Sequence, residues 1–138
     1  MKIHPFVSAS LLMLLLPACV TGSYGSGHSY MKTSVCEVAS HPEQFDGKTV
    51  KLSATVDSDY MHYVVLQDGN CPKNGLPIGG NRLPDSKDSP EFDAAMENKR
   101  VNGGIVSADF VGVISYTHGD FPHAEINVIT TSNVAYTK

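Results

Sequence analysis

Tryptophan is absent from the 138 residues, and cysteine occurs only three times. No Cys-x-x-Cys pair is present and no histidine lies close beside Cys36 or Cys71, so neither a zinc ribbon nor a dithiol redox motif is written here. The one strong apolar run, Phe6–Leu16, has 11 residues. A helix needs roughly 20 such residues to cross a bilayer. Basic residues are also scarce, 10 against 14 acidic ones, and no run of Lys or Arg is interleaved with aromatics. Attraction of such residues to phosphates supplies most non-specific nucleic-acid affinity, so no nucleic-acid partner is expected. Gly-x-Ser-x-Gly, His-Glu-x-x-His and phosphate-loop signatures are all missing. An enzyme would therefore lack any local signature, and the expectation is a non-enzyme without a cofactor. No internal repeat is found.

What is present begins at the N-terminus. Lys2 supplies a positive end, the short apolar run follows, and small residues come after it. That order is an export signal rather than part of a fold. Leu16-Pro17-Ala18-Cys19 then resembles the lipobox of bacterial lipoproteins. The resemblance implies cleavage after Ala18 and a lipidated Cys19, whose thiol carries a diacylglyceryl group by a thioether. Val20 is not Asp, which in a Gram-negative cell implies the outer membrane, facing the periplasm. Val20–Ser29 is rich in Gly and Ser, a flexible tether that cannot bury enough apolar surface to fold. The expected division is a signal peptide (1–18), a lipidated cysteine with its tether (19–32) and one domain (33–138). Loss of Lys2 leaves 9 of the 10 basic residues against 14 acidic ones, a balance of −5.

With Cys19 acylated, Cys36 and Cys71 remain, and only one intramolecular pairing is open to them. In an oxidising compartment it should form. Closing a loop of about 35 residues gives about 3.8 kcal/mol in the chain-entropy model. The alternative is two buried free thiols.

Along the domain, Ser34 with Glu37 three residues on reads as a capping box for a short helix carrying Val35, Val38 and Ala39 on one face. Pro42 ends or interrupts it. Thr49–Asp57 alternates, with Val50, Leu52, Ala54 and Val56 on one side, the period of a half-buried strand. Tyr60–Gln67 reads as its hairpin partner. Residues 72–90 form a long loop. Ser89-Pro90 starts a helix running to about Arg100 that buries Phe92, Ala95 and Met96. Ser107–Tyr116 is a third strand, in which Gly112 suggests a bulge or bend. Ala124–Thr130 is a fourth, and Val134–Tyr136 adds a short fifth.

This order predicts a mostly β fold: a small OB-like five-stranded barrel, with a short N-terminal helix and a connecting helix between the second and third strands. Val35-Cys36-Glu37, His41–Val50 and Leu66-Gln67-Asp68 leading to Cys71-Pro72 resemble a group of small exported bacterial domains with OB-like folds. The likeness covers about residues 34 to 72; beyond that only strand order matches. It implies fold and not function.

Several side-chain groups are candidates for chemistry. His118, Asp120, His123 and Glu125 flank one turn and carry donor types that suit a divalent metal, though loop residues of this kind are commonly just solvated. Asp57, Asp59 and Asp68 gather near the ends of one hairpin; calcium is one reading and turn chemistry the plainer one. His28 lies in the tether, and His62 on a strand face. Tyr60, Tyr63, Phe110 and Tyr116 are candidates for a ligand-binding barrel face, against the plainer reading of core or cross-strand partners. The leading expectation is an envelope lipoprotein, membrane-anchored through Cys19, acting as a non-catalytic binding or structural module on a protein or glycan partner. The rival is a metal-dependent enzyme or metal-binding protein using the His118–Glu125 turn.

Overall fold

The computed structural model describes residues 29–81 and 89–138. The residues read as a signal peptide, Cys19, most of the segment read as a tether and His28 lie outside the described residues. Among the described residues the domain is mostly β, with six strands in one sheet: β4 (Leu76–Pro77), β3 (Val64–Gln67), β2 (Thr49–Ser58), β5 (Ile105–Thr117) and β6 (His123–Thr137) in that order, and β1 (Met31–Lys32) set beside β2. Among the described residues no helix is long and apolar enough to cross a membrane.

β2 (Thr49–Ser58) is the spine of the sheet. Its alternation sends Val50, Leu52, Ala54 and Val56 into the core, as the period-two pattern requires. Its first half pairs antiparallel with β5 (Ile105–Thr117) and its second half with β3 (Val64–Gln67). β1 (Met31–Lys32) runs parallel to β2, with Met31 opposite Val50. These two residues, placed in the tether from sequence, therefore belong to the sheet. β5 buries Val106, Ala108, Phe110 and Ile114 in strict alternation.

β6 (His123–Thr137) is one long strand rather than the two short ones expected. Its register against β5 shifts twice, between the Ser107 and Asp109 pairs and between the Val111 and Gly112 pairs. Each shift places one extra residue on β6, and Asn133, at the first, has a φ of +51°. The second explains Gly112: a Cβ there would stand 2.6 Å from the Asn127 carbonyl oxygen. The irregularity that the glycine signalled is thus a close approach of β6 to β5.

Ser34 caps α1 (Val35–Ser40) by accepting the Glu37 N–H at 3.1 Å, as the capping box requires. Glu37 does not return to Ser34; its carboxylate accepts the Thr33 hydroxyl. Pro42 interrupts the helix, and α2 (Pro42–Phe45) follows it. α3 (Pro90–Asn102) buries Phe92, Ala95 and Met96, as its spacing predicts, and ends at Gly103 with φ +71°. Ser89 does not cap it. The Ser89 hydroxyl instead accepts from Thr131 at 2.7 Å, tying the helix start to β6.

Three expectations are corrected. The sheet has six strands and is not a closed five-stranded barrel. Its two ends meet at one parallel pair, Ile78 with Ile126, and no ladder continues from there. The segment read as loop contains β4 (Leu76–Pro77), which buries Leu76 against the core, so α3 does not follow the second strand directly. Finally, the partner of β2 starts at Val64 and not at Tyr60, because Asp59 draws the preceding backbone into a turn.

Candidate functional site

Asp59 organises the loop between β2 and β3. Its Oδ1 accepts the backbone N–H groups of Met61 (3.0 Å), His62 (2.7 Å) and Tyr63 (3.0 Å). Its Oδ2 lies 2.8 Å from His62 Nδ1. The N–H of His62 first, then those of Tyr63 and Met61, hold the Asp59 carboxyl far below the usual carboxylate range. Ser58 closes the other side. Its buried hydroxyl accepts the Tyr60 N–H at 2.9 Å and donates to the Tyr63 carbonyl at 3.0 Å. Tyr60 is held at φ +62°, which costs a bulky L residue of order 1 kcal/mol.

With its backbone spent on Asp59 and Ser58, the loop turns its large side chains outward. Met61 is 82% exposed, Tyr63 44% and Tyr60 40%. Opposite them stands α3. Asp93, Met96, Glu97 and Arg100 recur at three- and four-residue intervals, so one face of the helix carries them all. Loop and helix enclose a cleft of about 500 Å³. Met96 is buried at its base. Glu97 holds Arg100, whose Nε lies 2.7 Å from Oε2; this keeps the carboxyl below, and the guanidinium above, its ordinary pKa. Partial burial raises the Tyr60 phenol, and Arg100 partly offsets it.

A second concavity, on the outer face of the sheet, is polar. Asp109 accepts from Ser53 and from Asn133 Nδ2 (2.8 Å), and Lys51 Nζ lies 3.2 Å away. Ser53 first, then Asn133 and Lys51, lower the Asp109 pKa. These groups satisfy one another across three strands.

The sequence candidates fall out differently. The Sγ atoms of Cys36 and Cys71 are at bonding distance, 2.08 Å, and link α1 to the turn after β3. Among the described residues no three His, Cys, Asp or Glu side chains gather to hold a metal ion. In the His118–Glu125 turn, the His118 ring packs edge-on against Tyr116 and His123 Nδ1 meets the Phe121 carbonyl. Asp59 and Asp68 do what turn aspartates do: Asp68 accepts the Asn70 N–H at 2.9 Å. His62 stands in the Asp59 turn and not on a strand face. The four aromatics do not share a surface. Tyr60 and Tyr63 line the cleft, Tyr116 sits near the far end of β5, and Phe110 is wholly buried. Missed from sequence was the contribution of α3. Its signal was the Asp93-Met96-Glu97-Arg100 spacing, hidden because Met96 also belongs to the apolar stripe.

No family model, no curated protein and no solved structure matches the chain.

Proposed function

We propose that this chain is a lipid-anchored protein of the bacterial cell envelope, and that its domain is a non-catalytic binding module working through the cleft between the Tyr60–Tyr63 loop and α3. One observation carries the binding reading. Three large apolar side chains in four consecutive residues stand exposed on a loop that Asp59 and Ser58 fix in place. Folding gains nothing from exposing them, and the strained Tyr60 backbone is retained where a ligand can reach it. A fixed loop has little ordering entropy left to lose on binding, which favours affinity.

The anchor rests on Leu16-Pro17-Ala18-Cys19, with the short apolar run before it and the Gly- and Ser-rich stretch after it. Val20 favours the outer membrane, on its periplasmic side, in a Gram-negative cell. The Cys36–Cys71 bond fits an oxidising compartment. The architecture we favour is an OB-like strand order left as an open sheet rather than closed into a barrel. In support, β2-β3-β4 form a meander, α3 follows, β5 returns antiparallel beside β2, and the sheet ends meet at the Ile78–Ile126 pair with no ladder continuing from it.

The test is photo-crosslinking in bacterial cells expressing the full chain. A photoreactive side chain replaces Met61 or, as control, the exposed Glu43 of α2. The Met61 position should give a light-dependent adduct with an envelope component and the Glu43 position should not. Fatty-acid label should enter the chain and disappear in Cys19→Ser. Equal adducts at both positions, or none, would defeat the binding reading; label persisting on Cys19→Ser would defeat the anchor.

A further inference from the structure

We infer that the cleft takes a polypeptide segment of a partner protein, one apolar side chain of which enters between Tyr60 and Met96 while a neighbouring lysine or arginine meets the acidic rim. The inference rests on the binding reading above and names the partner's chemistry.

The lining supplies the first argument. Tyr, Met and Arg are the residue types enriched where proteins bury one another's side chains. Here Tyr60, Met61, Tyr63, Met96 and Arg100 bound one cavity. Met61 stands at 82% exposure, and an unbranched thioether can pack against varied aliphatic or aromatic shapes. A sugar would ask for something else: planar polar side chains free to pair with neighbouring hydroxyls. Two of the planar groups of this cleft, Glu97 and Arg100, are already taken up with each other.

Charge supplies the second argument. Glu97 neutralises Arg100, so the carboxylate of Asp93 is left in excess on the α3 wall. Asp57, at the end of β2, adds to the negative field felt by the Tyr60 phenol. The chain as a whole is also acidic, 10 basic residues against 14 acidic. An anionic headgroup, a nucleic acid or an acidic peptide would be repelled at the rim. A basic residue beside the apolar anchor would be drawn to it.

The experiment uses full-length chain purified in detergent and a displayed random linear peptide library. Recovered peptides should share an apolar residue with Lys or Arg close by. Synthetic copies should bind Met61→Ala and Asp93→Lys about ten-fold more weakly, the loss expected for an interface anchor. Met61 is exposed and Asp93 half-buried, and an unchanged melting temperature checks that each variant is folded. Peptides that lack the basic residue, or that bind Asp93→Lys as tightly as the parent, would overturn the inference. If no cleft-dependent peptide emerges while the Met61 photo-adduct persists, the polypeptide assignment fails and the binding reading stands. If both fail, so does the binding reading.

Discussion

The Phe92 ring of α3 meets the Phe110 ring of β5 edge-on, with centroids 5.6 Å apart, and neither is exposed to solvent. This contact seats the helix on the sheet and so sets the position of the cleft wall that the same helix provides. Phe92→Ala should lower stability by about 3–5 kcal/mol, the usual range for emptying a buried aromatic site. Urea unfolding followed by far-ultraviolet circular dichroism would measure it. A loss below about 1 kcal/mol would mean that α3 is not seated as described.

The Cys36–Cys71 bond closes a loop of 35 residues that contains β2 and β3. Joining α1 to the turn after β3 restricts the unfolded chain more than the folded one. The Cys36→Ala, Cys71→Ala double variant should therefore be less stable by about 2–4 kcal/mol. For a domain of this size that is a fall of roughly 10–25 °C in melting temperature. Calorimetry of the two proteins checks it, and equal midpoints would show that the bond contributes nothing to stability.

How legible this fold was depended on the range of the interactions. β2 and β5 were readable because alternation is local: each inward residue lies two from the last. α3 was readable for the same reason, from Phe92, Ala95 and Met96. The failures were of another kind. Tyr60–Tyr63 carries strand-forming residues, but Asp59 takes three of the N–H groups a strand would need. Propensity could not register that competition, although Asp59 is itself a turn residue. β4 has two residues, too few for any period, and exists because Leu76 finds Leu66 across the sheet. Phe110 was open to two readings by residue type, ligand face or core, and its strand parity puts it in the core. The cleft was half legible: its two tyrosines were named, but α3 comes to face them only through tertiary packing.

Asp59 and Asp109 both titrate below the ordinary 3.8 in the folded chain, the first through three backbone N–H groups, the second through Ser53, Asn133 and Lys51. A depressed folded pKa contributes stability that is fully present above the unfolded value. It is lost as pH falls through the folded value. Stability should thus change little on account of these two groups between about pH 5 and 8, and decline below about pH 4. In Asp109→Asn the decline should be shallower, because one of the two groups no longer takes up a proton on unfolding. Urea midpoints taken from pH 7 down to about pH 2.5 would show the slopes. A steeper acid decline in the variant would contradict the sign.

The sheet face bearing Lys51 raises the question of nucleic acid most directly, because it combines cations with a ring. Lys32 and Lys51 are paired in register across β1 and β2, and the Tyr30 ring lies 5.8 Å from the Lys51 ammonium. Stacking rings and a positive groove are what single strands require. The groove, however, is not positive: Asp109 stands 3.2 Å from Lys51 and occupies the charge that a phosphate would need. Stacking on Tyr30 alone, at about 1–3 kcal/mol per base, does not offset the ordering of a strand against a chain of −4, with 10 basic and 14 acidic residues. A labelled oligonucleotide should therefore show no micromolar binding to the detergent-purified chain at physiological salt, by fluorescence anisotropy. Asp109→Asn, which frees Lys51, should raise affinity by no more than one phosphate contact gives, and that gain should vanish as salt increases. Tight binding by the unaltered chain, falling steeply with salt, would mean that Lys32 and Lys51 form a working basic groove despite Asp109.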